Sequence, residues 1–178
     1  MEFAPPSWEG TLLASGSEVH PVDRLLVVHY LLCNVPLRPS REWITFRQFA
    51  GGQFYWAPFR NRTIVPLIED VGDDLETLRH RLDRFDWSPM AAGDVGAVIR
   101  VLGEARVAVV YRRGDDEFGA GADVLFDSSL KRIYGAEDAA ALAGRVCLGL
   151  RANPCTVCSG CGLCDLKPIR KTEMKGGV

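Results

Sequence analysis

Four of the six cysteines fall within ten residues, Cys155, Cys158, Cys161 and Cys164, in a C-x2-C-x2-C-x2-C run. Thiolates are soft ligands, and a cluster of them at close, even spacing points to a metal or a metal–sulfur centre. Structural zinc usually takes two C-x2-C pairs separated by a dozen or more residues, because each pair forms one knuckle and the two must face each other across the ion. This run has no such gap. A cubane cluster is a larger object, and a tight C-x2-C loop can wrap it so that each thiolate reaches a different corner. The spacing therefore favours one 4Fe-4S cluster held by Cys155, Cys158, Cys161 and Cys164, with zinc as the alternative cofactor. Ser159, Gly160 and Gly162 between the cysteines allow tight turns and let backbone N–H groups approach the sulfurs.

Charge changes sign near the same place. Residues 1–144 carry 15 basic and 21 acidic side chains, and residues 145–178 carry 6 and 2. Lys167, Arg170, Lys171 and Lys175 follow the run, where positive charge would stabilise a reduced cluster or attract an acidic protein partner. A solvated basic tail is the plainer alternative.

Other residues with chemical potential have ordinary explanations. His29 and Cys33 lie four apart in an apolar segment and are expected to be satisfied core residues. Seven of the sixteen aromatics fall between residues 43 and 59, namely Trp43, Phe46, Phe49, Phe54, Tyr55, Trp56 and Phe59. With Arg41, Arg47, Arg60 and Arg62 around them they could stack a planar anionic ligand such as a nucleotide or a corrin, but aromatics this dense are expected to pack a core or a partner surface. The run Gly114-Asp115-Asp116-Glu117-Phe118 superficially matches the GGDEF signature of diguanylate cyclases. It lacks the second glycine and the surrounding framework, and an acidic hairpin turn accounts for it. No G-x4-G-K-S/T, dinucleotide fingerprint or H-E-x2-H is present.

Composition sets the limits within which these residues act. A chain of 178 residues and 19.6 kDa has room for one domain with a full core. Hydrophobic residues make up 47%, charged residues 25%, and the net charge is −2, which argues against long disorder and a global grip on nucleic acid. The longest apolar stretch, residues 25–33, is about half of the ~20 residues that a membrane span needs. Residues 1–9 do not read as a secretory signal, so a cytoplasmic location is expected. In that reducing compartment clustered cysteines are read as ligands before disulfides.

The elements that must position the run follow from periodicity. Residues 1–20 read as irregular. Residues 22–33, with Pro21 before them and Pro36 after, are apolar on nearly every face and predict a buried core helix. Two helical patterns follow at 63–71 and 73–85, the second capped by Asp73 or Asp74, with Leu75, Leu78, Leu82 and Phe85 inward and Arg79, Arg81 and Arg84 on the wet side. Residues 96–102, 106–111 and 122–126 read as antiparallel strands. A last helix from 136 or 137 to about 148 turns Ala139, Leu142, Ala143 and Val146 inward. Helices first, then a small antiparallel sheet and a C-terminal helix, predict an α+β domain over residues 1–150, followed by a cluster-binding segment at 151–178.

Two resemblances add to this reading. The cysteine run resembles the loop of bacterial-type ferredoxins, C-x2-C-x2-C-x3-C-P, whose fourth cysteine serves a second cluster. Here the last spacing is x2, the following proline is Pro168, and no second run exists. Cys164 is thus the first candidate for the fourth ligand, and Cys147 or Cys33 the second. Separately, His29-Tyr30-Leu31-Leu32, the stretch 42–49 with Gly51-Gly52 and Tyr55, the stretch 122–129 and Glu137-Asp138-Ala139-Ala140 together resemble domain-of-unknown-function family 3786 of bacteria and archaea, over about residues 20–145. That resemblance implies a small cytoplasmic domain, sometimes joined to an iron–sulfur segment in anaerobic metabolism, and supplies no catalytic residues.

The expected function is an iron–sulfur protein, an electron-transfer or accessory subunit of an anaerobic redox complex with a protein partner and no membrane span. A zinc-stapled interaction module and an enzyme with an open iron site are the alternatives.

Overall fold

Burial that alternates along a strand marks one face against a core, and β5 (Val95–Leu102) shows it: Val95, Ala97 and Ile99 are buried while Gly96 and Val98 are only partly so. The same period places Ala122, Val124 and Phe126 of β7 (Gly121–Asp127) inward. Between them β6 (Ala105–Arg112) is buried on both faces from Val107 to Tyr111, as befits the middle of a sheet. The computed structural model describes residues 2–4, 9–11, 19–33 and 36–151. It adds two strands that periodicity alone did not mark, β3 (Trp43–Thr45) and β4 (Asp86–Pro89), giving a five-stranded antiparallel sheet in the order β3-β7-β6-β5-β4. Ile44 pairs with Phe126, and Trp87 with Ile99. Earlier in the chain β1 (Glu2–Ala4) and β2 (Glu9–Thr11) form an antiparallel pair, with Phe3 opposite Gly10, where an irregular segment was expected.

Five helices accompany the sheet among the described residues: α1 (Pro21–Leu32), α2 (Trp56–Arg62), α3 (Ile64–Val71), α4 (Leu75–Leu82) and α5 (Ala136–Gly149). The mixed α/β class and the antiparallel sheet agree with expectation. The order does not, since β3 precedes three helices and closes the sheet at its far edge. A three-residue strand is too short to show a period, which is why it escaped notice. Asp74 caps α4, accepting from the Thr77 N–H at 2.9 Å.

Two expectations need correction. The segment at 22–33 is not a buried core helix: of α1 only Leu26 and Val27 are buried, while Leu25, Leu31 and Leu32 are exposed. Its apolar side chains surround the helix, but only one face meets α5. Nor does Arg81 lie on the wet side. It is 8% exposed, and its guanidinium donates to the Leu150 carbonyl at 3.0 Å and pairs with Asp70 of α3.

The core is contiguous. Phe46 and Phe59 stack with ring centroids 4.0 Å apart, and Phe49 meets Phe126 edge-on at 5.2 Å. Leu67 of α3, Leu78 and Leu82 of α4, and Ala139, Leu142, Ala143 and Val146 of α5 complete it. Burying a ring of this size contributes roughly 1.5–3 kcal/mol. Gly51, at φ +79°, makes the turn that follows. A Cβ on Gly52 would stand 2.1 Å from the Phe46 carbonyl, so that close approach requires glycine.

Candidate functional site

Cys155, Cys158, Cys161 and Cys164 lie outside the described residues, as do Lys167, Arg170, Lys171 and Lys175. The domain from which the run departs, and the two remaining cysteines, are described. α5 ends in a firmly held turn. The N–H of Leu150 donates to Val146 at 3.1 Å, that of Arg151 to Leu148 at 3.2 Å, and Arg81 holds the Leu150 carbonyl. Leu150 is fully buried, and a Cβ on Gly149 would stand 2.6 Å from the Phe85 ring, so helix and turn are pressed onto the core. The Arg151 Nε is buried with no hydrogen-bond partner among the described residues.

Cys147 is a core thiol. It is 2% exposed, and burial pushes its pKa up to about 12, against a small opposing effect of the Arg151 charge. At neutral pH it is protonated and is neither a ready nucleophile nor a ready ligand. Cys33 follows α1 and is half-buried. α1 and α5 run antiparallel, since Arg145 donates to Asp23 at 2.9 Å near one end while His29 meets Asp138 at 3.0 Å near the other. Cys147 is nine residues beyond Asp138, so about 13 Å of helix separates it from the His29 level where Cys33 follows. The fold holds these two cysteines apart.

His29 is a half-exposed residue with a carboxylate partner. Its Nδ1 faces Asp138, whose other oxygen accepts from the Gly135 N–H at 3.3 Å. That pairing leaves Nε2 as the remaining hydrogen-bonding nitrogen of the ring. Among the described residues no group of three or more His, Cys, Asp or Glu side chains is placed to hold a metal ion.

The aromatic stretch divides in two. Phe46, Phe49 and Phe59 enter the core, as expected of dense aromatics. Trp56 packs on Phe59 and carries the Arg47 guanidinium 4.5 Å from its ring centroid. Phe54 and Tyr55 stay exposed, at 92% and 53%. The acidic run forms a turn: the Asp115 carboxylate accepts from the N–H groups of Phe118 at 2.7 Å and Glu117 at 2.9 Å, and these bonds hold it below the usual carboxylate range.

Two features were not singled out from the residues alone. Asp127, at the end of β7, is 1% exposed. Its carboxylate accepts from the N–H and hydroxyl of Ser40 at 2.9 Å each, from the Arg41 N–H at 2.9 Å and from the Ser129 N–H at 3.0 Å. Burial pushes its pKa up, and these hydrogen bonds outweigh that effect and hold it below its usual value. They also hold Arg41 at φ +63°, a conformation uncommon outside glycine. The D-x-S pattern of Asp127 and Ser129 is a capping signal that could have been read. The second feature is an open cavity of about 620 Å³ beside the turn after β7, with Lys131 and Arg132 on its wall.

No helix among the described residues is long and apolar enough to cross a membrane. A family model described as Domain of unknown function (DUF3786) matches residues 6–148. No curated protein and no solved structure matches the chain.

Proposed function

The chain belongs to the DUF3786 family, and beyond that membership we propose that its cysteine run holds one 4Fe-4S cluster, making it an electron-transfer or accessory subunit of an anaerobic redox complex. The observation that carries this reading is four cysteines at an unbroken x2 spacing within ten residues. The donor set fits the group: four thiolates satisfy the four irons of a cubane, and the small residues between them leave room for backbone N–H groups near sulfur. When bound, such a cluster supplies one-electron transfer.

The remaining cysteines support the assignment of Cys164 as fourth ligand. Cys147 sits in the core with its thiol protonated, and Cys33 belongs to the far end of the α1–α5 pair. Recruiting Cys147 would require unpacking α5. Cys155 follows Arg151 by four residues, a tether of about 14 Å at full extension. The net +4 of residues 145–178, from 6 basic and 2 acidic side chains, favours a partner with an acidic face.

Metal and acid-labile sulfide analysis of protein purified without oxygen tests the reading. About four irons and four sulfides per chain are expected. One zinc and no sulfide would retire electron transfer in favour of a zinc-stapled interaction module. Cys164→Ala separates the two iron readings, since loss of the cluster supports four-cysteine ligation and an intact cluster supports an open iron.

A further inference from the structure

A helix at a protein surface normally turns its polar side chains to water and its apolar ones to the core. α1 does the reverse. Its polar side chains are all held by this domain: Asp23 accepts from Arg145 at 2.9 Å, and His29 meets Asp138 at 3.0 Å. The Arg24 Nε donates to the Val19 carbonyl at 2.8 Å, and the Tyr30 hydroxyl accepts from the Glu104 N–H at 3.3 Å. The side away from the core carries Pro21, Leu25, Val28 and Leu32, all exposed except the half-buried Val28. Of the six large hydrophobic side chains left exposed among the described residues, Leu25, Leu31 and Leu32 sit on this one helix, and the other three lie in turns. Single exposed leucines are ordinary, but a contiguous apolar stripe marks a contact surface.

The spacing of the stripe identifies what covers it. Positions 21, 25, 28 and 32 are separated by four, three and four residues, the spacing of a seam along which two helices interlock. That spacing reads the same from either end. A second α1 laid antiparallel therefore meets the first in matching layers, with Leu25 opposite Val28 and Pro21 opposite Leu32. The seam also carries no charge, so its complement is an uncharged apolar stripe of equal length. Among the described helices α1 alone leaves such a stripe exposed. Asp23, the one carboxylate of the helix, is turned inward to Arg145 and does not oppose the pairing.

We propose that α1 is a dimerisation helix: two copies of the chain associate through antiparallel pairing of their α1 helices, with Leu25, Val28 and Leu32 at the seam and Leu31 beside it. A two-fold contact uses the same patch on both subunits, which is what a stripe that matches its own reversal supplies. One helix pair is a small interface, so the dimer is reversible and of micromolar affinity. The helix lies within the family-matched residues, and the pairing does not depend on the cluster reading.

Sedimentation velocity of the full chain, in reductant and without oxygen, tests this. The mass is expected to rise from 19.6 kDa towards twice that value as concentration increases from about 1 to about 300 µM. Added salt should not weaken the association, because no ion pair crosses the seam. Leu25→Glu and Leu32→Glu should each lower the dimerisation constant about tenfold or more by setting a charge against an apolar side chain. Both leucines are exposed, so the thermal midpoint of dilute protein should not move. Val28→Lys should dissociate the dimer in the same way. An equimolar mixture of Leu25→Glu and Val28→Lys should associate again, because antiparallel pairing sets the new carboxylate against the new ammonium. A wild-type chain that stays monomeric would overturn the proposal and leave the face to a different protein. A dimer that survives Leu25→Glu and Leu32→Glu, or a mixture that fails to associate, would overturn it as well.

Discussion

Arg81 on α4 donates to the Leu150 carbonyl at 3.0 Å, across 69 residues of sequence, while its guanidinium also pairs with Asp70. One buried cation thereby joins α3, α4 and the end of α5, the point from which the cysteine run departs. A carbonyl at a helix end is otherwise an unsatisfied acceptor, and Arg81 both satisfies it and complements the negative end of the helix dipole.

Replacing Arg81 by Met removes this join, the ion pair to Asp70 and the hydrogen bond to the Leu150 carbonyl. Losing one member of a buried pair costs about 3 kcal/mol. The variant should show a midpoint in denaturant lowered to match, with the loss of amide-exchange protection greatest at Leu150 and Arg151. Unchanged protection there would mean that the α5 end is held by packing alone.

Phe46 and Phe59 stack in the core, whereas Phe54 is 92% exposed. Phe46→Ala should destabilise by roughly 3–5 kcal/mol through lost burial and a residual cavity. Phe54→Ala should stay within about 0.5 kcal/mol. Equal losses in chemical denaturation would contradict the division of the aromatic stretch described above.

Asp127 has a folded-state pKa below its usual value of 3.8. A depressed carboxyl contributes stability that is present above the unfolded pKa and is lost as pH falls through the folded one. Stability should therefore decline as the solution is acidified below about pH 4, and Asp127→Asn should flatten that limb. At pH 7 the Asn variant should be less stable by about 2 kcal/mol, because an amide can serve fewer of the donors gathered there. A wild-type-like acid profile in the variant would remove Asp127 as its source.

Cys147, with its pKa near 12, should resist alkylation at pH 8 while the chain is folded. Burial suppresses the thiolate there, and the sulfur is enclosed as well. Peptide mapping after iodoacetamide should find Cys147 unmodified under native conditions and modified in denaturant. Rapid native labelling would place it at the surface, where it could compete for a metal.

Much of the architecture was legible because it rests on local period. Leu78 and Leu82 of α4, Ala139, Leu142, Ala143 and Val146 of α5, and the alternating residues of β5 and β7 each repeat often enough to declare an inward face. The cysteine run is likewise a matter of residue type and spacing, and it lies outside the described residues. β3 was not, because three residues carry no period and become a strand only when β7 lies alongside to receive their hydrogen bonds. α1 misled in the opposite way, as apolar side chains all round suggest burial, yet only Leu26 and Val27 of the helix are buried.

Residue order alone determined which segments could be helix or strand and which four thiols could act together, because those properties depend on neighbours a few positions apart. Tertiary structure decided that Arg81 is buried, that His29 meets Asp138 109 residues away, and that Cys147 and Cys33 are held apart. It also brought residues 48–50 and 131–135, far apart in sequence, to the lining of one open depression. The physical reason is that pairing, burial and charge balance depend on which groups the folded chain brings within a few ångströms, and sequence separation does not set that distance.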